Sequence, residues 1–160
     1  MSKGKKEKTN VMRVLDGLKI DYESHSYEPD PTKTGVEIAG ILGEDVSHVF
    51  KTLITQGGKT KEYFVFVIPV AEELDLKKAA AACKEKSVAM IKQKELLPLT
   101  GYVHGGCSPV GMKKTFPTFV HESGKDLDRI FVSAGKVGLQ IELKPEDLAK
   151  AVKLTYADLV

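Results

Sequence analysis

Two runs of β-branched and aromatic residues with a pair of glycines between them set the strongest limit on the fold. Val49-Phe50-Lys51-Thr52-Leu53-Ile54-Thr55 and Tyr63-Phe64-Val65-Phe66-Val67-Ile68 flank Gly57-Gly58. Such side chains fit a pleated sheet, and paired glycines turn a chain, so this stretch predicts a hairpin. Helical and extended signals alternate around it. Thr9 is placed to cap a helix with Val11, Val14, Leu15 and Leu18 on one face, and residues 22–27 read as a short strand stopped by Pro29-Asp30-Pro31. A second short helix carries Ile38, Ile41 and Leu42 and ends at Gly43. Asp75 caps a third with Leu76, Ala79, Ala80 and Cys83 on one side, residues 87–91 read as a strand, and a helix over 92–97 is expected to halt near Pro98. Strands are expected over 118–121, 130–133 and 139–143, with Gly135 and Gly138 turning the last hairpin and Pro145 starting a closing helix. Mixed α/β is the class.

A chain of 160 residues, 42% of them hydrophobic, buries one sizeable core. We therefore expect a basic, flexible tail over residues 1–8 and a single domain over 9–160. No apolar run approaches the roughly 20 residues that span a bilayer, and the opening Met1-Ser2-Lys3-Gly4-Lys5-Lys6 lacks a signal peptide's apolar stretch. The expected location is the cytoplasm, where Cys83 and Cys107 stay reduced. A net charge of +2 is too small for nucleic-acid binding by charge alone, although Lys113, Lys114, Lys125, Arg129 and Lys136 form local basic groups.

Four kinds of chemistry are open to these residues. A zinc site needs about four ligands with paired spacing, whereas His25, His48, His121 and Cys83 are scattered singly, so no metal or cofactor is expected. His104 and Cys107 stand three apart and allow a thiol nucleophile with a base, against the simpler reading of a small buried cysteine. Lys51 lies inside a strand, and either its stem snorkels to water or its ammonium faces a cleft, where it would grip a phosphate or a developing oxyanion. The segment 101–111 holds four glycines and a proline. Its Gly105-Gly106-Cys107-Ser108-Pro109 stretch is either a tight turn or a backbone cradle for a small polar group.

Taken together, Phe50-Lys51-Thr52-Leu53, Pro69-Val70-Ala71 with Leu74-Asp75-Leu76-Lys77-Lys78, Thr100-Gly101-Tyr102, Gly105-Gly106-Cys107-Ser108-Pro109 and Val132-Ser133-Ala134-Gly135-Lys136 resemble the YbaK family of aminoacyl-tRNA deacylases. The resemblance runs from about the first helix to the last and looks most like the free-standing Cys-tRNA(Pro) deacylases. It implies a single α/β domain with a mixed, barrel-like β-sheet flanked by helices, related to the editing domain of some prolyl-tRNA synthetases. It implies that Lys51 is the catalytic lysine, orienting the tRNA 3′ end. The aminoacyl group would be held by Gly105, Gly106, Ser108 and Pro109, with Gly101, Ser133 and Gly135 in the neighbouring loops and Tyr27 as a pocket aromatic. Gln140 stands where the family has an aspartate in the last hairpin, which removes a negative charge from the pocket. The connection from Pro29 to Val36 is shorter than in the family, and Val36 is the candidate for its second pocket side chain.

The resemblance further implies that the substrate's own thiol attacks its ester and leaves as a thiolactone, that prolyl-tRNA synthetase is the partner, and that Lys113, Lys114 and Lys136 guide the acceptor end. Removal of alanine or serine is the alternative specificity. A non-catalytic regulator that binds tRNA or a synthetase is the alternative class.

Overall fold

The structure is a computed structural model, and it describes residues 8–160. Residues 1–7 of the expected tail lie outside the described residues; Lys8 is within them and pairs with Asp16 at 2.6 Å.

The elements follow in the order α1 (Asn10–Gly17), β1 (Glu23–Ser26), α2 (Gly35–Leu42), β2 (Phe50–Gly57), β3 (Tyr63–Pro69), α3 (Leu76–Cys83), β4 (Val88–Met90), α4 (Gln93–Thr100), β5 (Thr118–His121), β6 (Ile130–Ser133), β7 (Leu139–Leu143), α5 (Pro145–Ala151) and β8 (Leu154–Ala157). Side chains placed by the sequence make the caps. Thr9 accepts from the Met12 amide, and Asp75 accepts from those of Lys77 and Lys78. Thr34 and Glu37 close a reciprocal capping box on α2, and Gly43 ends that helix in the left-handed conformation.

Five strands form one sheet in the order β4-β2-β3-β5-β8, and three form a second in the order β1-β7-β6. The β3–β5 and β5–β8 pairs are parallel and the rest antiparallel, so the larger sheet is mixed. The two sheets meet where a single parallel bridge joins Val49 to Phe131. Among the described residues they do not close into the barrel-like sheet expected, because the one bridge, just ahead of β2, leaves the seam unclosed.

Strand β3 explains the layering. Its even residues Phe64, Phe66 and Ile68 pack with Ala79 and Ala80 of α3, while Val65 and Val67 join the larger core under both sheets. Residues alternating along a strand face opposite ways, so β3 is dry on both sides. The larger core also takes Val11 and Leu15 of α1, Ile130 and Val132 of β6, Ile141 and Leu143 of β7, and Leu148 of α5.

Two elements depart from expectation. Helix α4 passes through Pro98 and ends at Gly101, whose φ is 84°. Proline's φ is compatible with a helix, and here the last turn is held from beyond the ring. The Thr100 hydroxyl donates to the Leu96 carbonyl at 2.7 Å and the Gly101 amide to the Leu97 carbonyl at 2.9 Å. The strand β8 was not foreseen. It is a four-residue parallel addition to β5, and a strand so short depends on a partner remote in sequence.

Candidate functional site

The site is best read from strand register, since residues paired across neighbouring strands share a face. Ser133 of β6 pairs with Gln140 of β7, and Gln140 pairs with His25 of β1. The bridge from Val49 to Phe131 is parallel, so carrying it two residues forward places Lys51 abreast of Ser133. Ser133, Gln140 and His25 thus form one row across β6, β7 and β1, and Lys51 follows the bridge by two residues on β2 as Ser133 does on β6. The Tyr27 amide donates to the Gly138 carbonyl at 2.9 Å and extends β1 beyond its last paired residue; alternation puts Tyr27 on the same face as His25.

The opposite face of the small sheet is the apolar one, with Ile130, Val132, Ile141 and Leu143 in the core. Among the described residues the row therefore occupies the more polar side of this sheet. Its far end is a charge ladder. Glu142 meets His25 Nε2 at 2.7 Å and Arg129 Nε at 3.3 Å, and Arg129 reaches Glu23 at 3.7 Å. At the near end Lys51 is half-buried, and among the described residues no carboxylate or carbonyl takes its ammonium. A half-buried cation without a partner is available to an anionic ligand.

Residues 101–112 make a closed loop packed on this corner. Its ends are tied by the Lys113 amide donating to the Thr100 carbonyl at 2.9 Å, and the Asn10 side chain fastens its far end to α1 through the Gly111 carbonyl at 3.1 Å. Tyr102, Cys107 and Val110 fill it from within, as in compact surface loops packed by their own side chains. The Tyr102 hydroxyl donates to the Val110 carbonyl, and burial pushes its pKa up to about 12. Gly106 lies so close to the turn between β6 and β7 that an added Cβ would stand 2.9 Å from the Val137 amide nitrogen and 3.1 Å from the Lys136 carbonyl carbon. Backbone atoms cannot swing aside as a side-chain end can, so this contact requires glycine.

The expected site residues separate into groups. Lys51, Ser133, Gln140 and Tyr27 share the polar face, and Gly105 and Gly106 abut the turn that leads into it. Ser108 is fully buried, and its hydroxyl accepts from the Val110 amide at 3.2 Å, so its side chain shapes the loop. Pro109 is buried beside it. Gly135 backs onto Val11 and Tyr102, the side of the turn away from the row, and Gly101 ends α4. Ser133 Oγ accepts from the Gly135 amide at 3.1 Å. Val36 is exposed on α2.

The thiol-nucleophile reading finds no support. Cys107 is 9% exposed, and burial pushes its thiol up to about 12, far from the depressed values of reactive cysteines. His104 is exposed, and among the described residues no hydrogen bond joins the two.

Sequence reasoning passed over two side chains. The Thr52 hydroxyl and both carboxylate oxygens of Glu44 are buried without a hydrogen-bond partner. Thr52 follows Lys51 directly and carried no separate signal. Glu44 follows a helix-ending glycine, a position where a glutamate is ordinarily solvated. Two surface hollows of about 470 and 520 Å³ lie elsewhere, beside α1 and beside His121. They contain none of the row, and both are open depressions, so the register of the strands is the better guide to where a ligand's polar groups are met.

The sequence matches the family described as the aminoacyl-tRNA editing domain over residues 29–151. It is 43% identical, over 154 residues, to EbsC of Enterococcus faecalis, a protein assigned as a Cys-tRNA(Pro)/Cys-tRNA(Cys) deacylase; the match covers 96% of this chain and 93% of that one. The fold is similar to that of a crystal structure described as a trans-editing enzyme for prolyl-tRNA synthetase, with a TM-score of 0.79, 23% identity and coverage of 96% and 98%. A crystal structure of a hypothetical protein gives a TM-score of 0.84 at 23% identity, covering 94% of this chain and 99% of that chain. At that identity the two structures establish the fold.

Proposed function

The chain belongs to the aminoacyl-tRNA editing family, and from that premise we propose that this deacylase removes cysteine from mischarged tRNA, with Cys-tRNA(Pro) as the principal substrate. The observation that carries the reading is the polar face beside Lys51, whose ammonium no group among the described residues takes, next to a loop that brings bare backbone to the same corner. The relative named for cysteine esters of tRNA supports the choice of amino acid.

In this mechanism Lys51 binds the anionic or ribose end of the terminal adenosine and steadies charge as it develops on the ester. Backbone groups at Gly105 and Gly106 hold the aminoacyl part, and Ser133, Gln140 and Tyr27 line its other side. No protein nucleophile is used, in keeping with the inert thiol of Cys107. The substrate's sulfur forms a bond to its own carbonyl carbon while the bond to the ribose oxygen breaks, and that oxygen leaves with the thiol's proton. The thiolactone released is then opened by water. Holding the two reacting groups together is the main contribution, worth roughly 7–11 kcal/mol in well-oriented intramolecular cases.

An editing site suits this substrate class, because a pocket separates acids differing by one methylene by only about 1–3 kcal/mol. We place the enzyme in the cytoplasm, where it meets charged tRNA, with prolyl-tRNA synthetase as partner. Among the described residues no helix is long and apolar enough to cross a membrane. The test is single-turnover hydrolysis of Cys-tRNA(Pro), Ala-tRNA(Pro) and Pro-tRNA(Pro). Fast loss of the cysteine ester alone is expected. Preferential loss of the alanine ester would reassign the specificity, and no loss above background for any of them would overturn the reading.

A further inference from the structure

Between α4 and β5 the chain forms no helix or strand, so the shape of residues 101–112 rests on what pins it from inside. Gly105 and Gly111 both hold the left-handed conformation, and glycine backbone of this kind has little shape of its own. One side chain crosses the loop. Tyr102 is fixed at its root, where its amide donates to the Thr100 hydroxyl at 3.0 Å, and at its tip, where its own hydroxyl donates to the Val110 carbonyl. Val110 is fully buried, and a buried carbonyl requires a donor. Tyr102 is itself buried, which pushes its phenol up to about 12 and keeps it a proton donor at neutral pH. The next carbonyl, of Gly111, takes the Asn10 side chain of α1 at 3.1 Å.

The same ring meets the turn between β6 and β7. A Cβ added at Gly135 would stand 3.0 Å from Tyr102 Cε1 and 2.9 Å from Val11 Cγ2, so turn and ring are in close contact. The Gly135 amide in turn donates to Ser133 Oγ at 3.1 Å. Gly106, whose own amide donates to the Val103 carbonyl at 3.0 Å, touches that turn at Lys136 and Val137. Tyr102 therefore contacts both sides of the site, the glycine loop through its hydroxyl and the Ser133 turn through its ring. We propose that Tyr102 is a positioning residue of the deacylase, fixing Gly105 and Gly106 relative to Ser133, the two sides between which the aminoacyl group is held. A phenylalanine would fill the same space, so the hydroxyl is the part that core packing alone does not explain. A misplacement of about 1 Å at a reacting group costs on the order of 10²-fold in rate. The inference rests on the deacylase reading.

The experiment compares wild type with Tyr102→Phe in two ways. Hydrogen exchange needs no substrate, and faster exchange confined to residues 103–112 is expected, with the amides of β3 unchanged. Exchange that rises throughout the domain, or nowhere, would overturn the proposal, because a residue that only stabilises the core loosens all of it together. In hydrolysis of Cys-tRNA(Pro), or of Ala-tRNA(Pro) if that is the better substrate, kcat should fall roughly 10- to 100-fold with KM within about threefold of wild type, since alignment of the ester is lost and the grip on tRNA is not. An unchanged kcat where the variant is folded, or a rise in KM alone, would also sink the assignment. Should Tyr102→Phe fail to fold, Asn10→Ala carries the same test from an exposed position: local exchange should quicken and kcat fall, and no change in either overturns the idea of a pinned loop. A wild type inactive on both esters would instead remove the deacylase reading, and this inference with it.

Discussion

The two sheets share one core and use their outer faces in opposite ways. In the five-stranded sheet β3 is covered on both sides, by α3 and by the main core, and six of its residues from Phe64 to Pro69 are buried. In the three-stranded sheet one face is apolar, while the other carries Ser133, Gln140, His25, Glu142 and Glu23 in register. A strand buried on both sides has no position at which a polar group can be met by a ligand. A sheet with one polar face can carry a site there, and Lys51 stands at the seam where the dry sheet gives way to the polar one.

The contrast makes separate demands on the two regions. Phe66→Ala, on the dry sheet, should destabilise by about 3–5 kcal/mol, or roughly 6–20 °C in Tm, and leave the turnover of molecules that remain folded near wild type. Thermal unfolding set beside single-turnover rates would separate the two quantities, and a selective catalytic loss would break the division. Lys51→Ala should do the reverse, with a roughly 10²- to 10³-fold fall in single-turnover rate and a Tm within a few degrees of wild type. Unchanged hydrolysis would take Lys51 out of the mechanism.

Gly106→Ala falls between these, because its Cβ would meet the backbone of the turn between β6 and β7. About 1–3 kcal/mol of stability should be lost, as in overpacked interiors, together with activity, since the turn leads into the row. Cys107→Ser should change the rate less than about threefold, given a thiol held far from ionisation; a larger loss would revive the nucleophile.

The smallest effect concerns pH. Glu44 has a folded-state pKa above its ordinary value because burial disfavours the carboxylate, with Gln140, His25 and Glu142 the groups facing it. The folded state therefore holds this proton more tightly than the unfolded chain does. Its stabilising effect is full below the ordinary carboxylate pKa of about 4.3 and is lost as pH rises through the higher folded value. Glu44→Gln, which never ionises, should gain in Tm relative to wild type from about pH 4 toward neutrality. A difference that narrows over that range would contradict the burial of the charge.

Much of the fold was legible because local chemistry decides it. Thr9 and Asp75 cap where side-chain oxygens meet free amides, and the hairpin of β2 and β3 follows from its composition and turn. The end of α4 was misjudged because bonds from Thr100 and Gly101 outweigh the one that Pro98 forfeits. Strand β8 was missed because its stability comes from β5 and not from its own four residues. At the site Lys51 was distinctive in the sequence as a charge within an apolar strand, while Thr52 and Glu44 were not, since an unpaired buried oxygen is a property of surroundings.

By itself the sequence determined most of the helices and strands, and that a lysine strand and a glycine-rich loop are the parts out of the ordinary. These depend on neighbours a few residues apart, through capping, periodicity and backbone sterics. Only the tertiary structure decided that two sheets meet at the bridge between Val49 and Phe131 and that Ser133, Gln140 and His25 line up across three strands. It also decided that the carboxylate oxygens of Glu44 are shielded from solvent. Pairing register and burial are set by contacts between distant segments, and no local pattern encodes which side chains those contacts will bury.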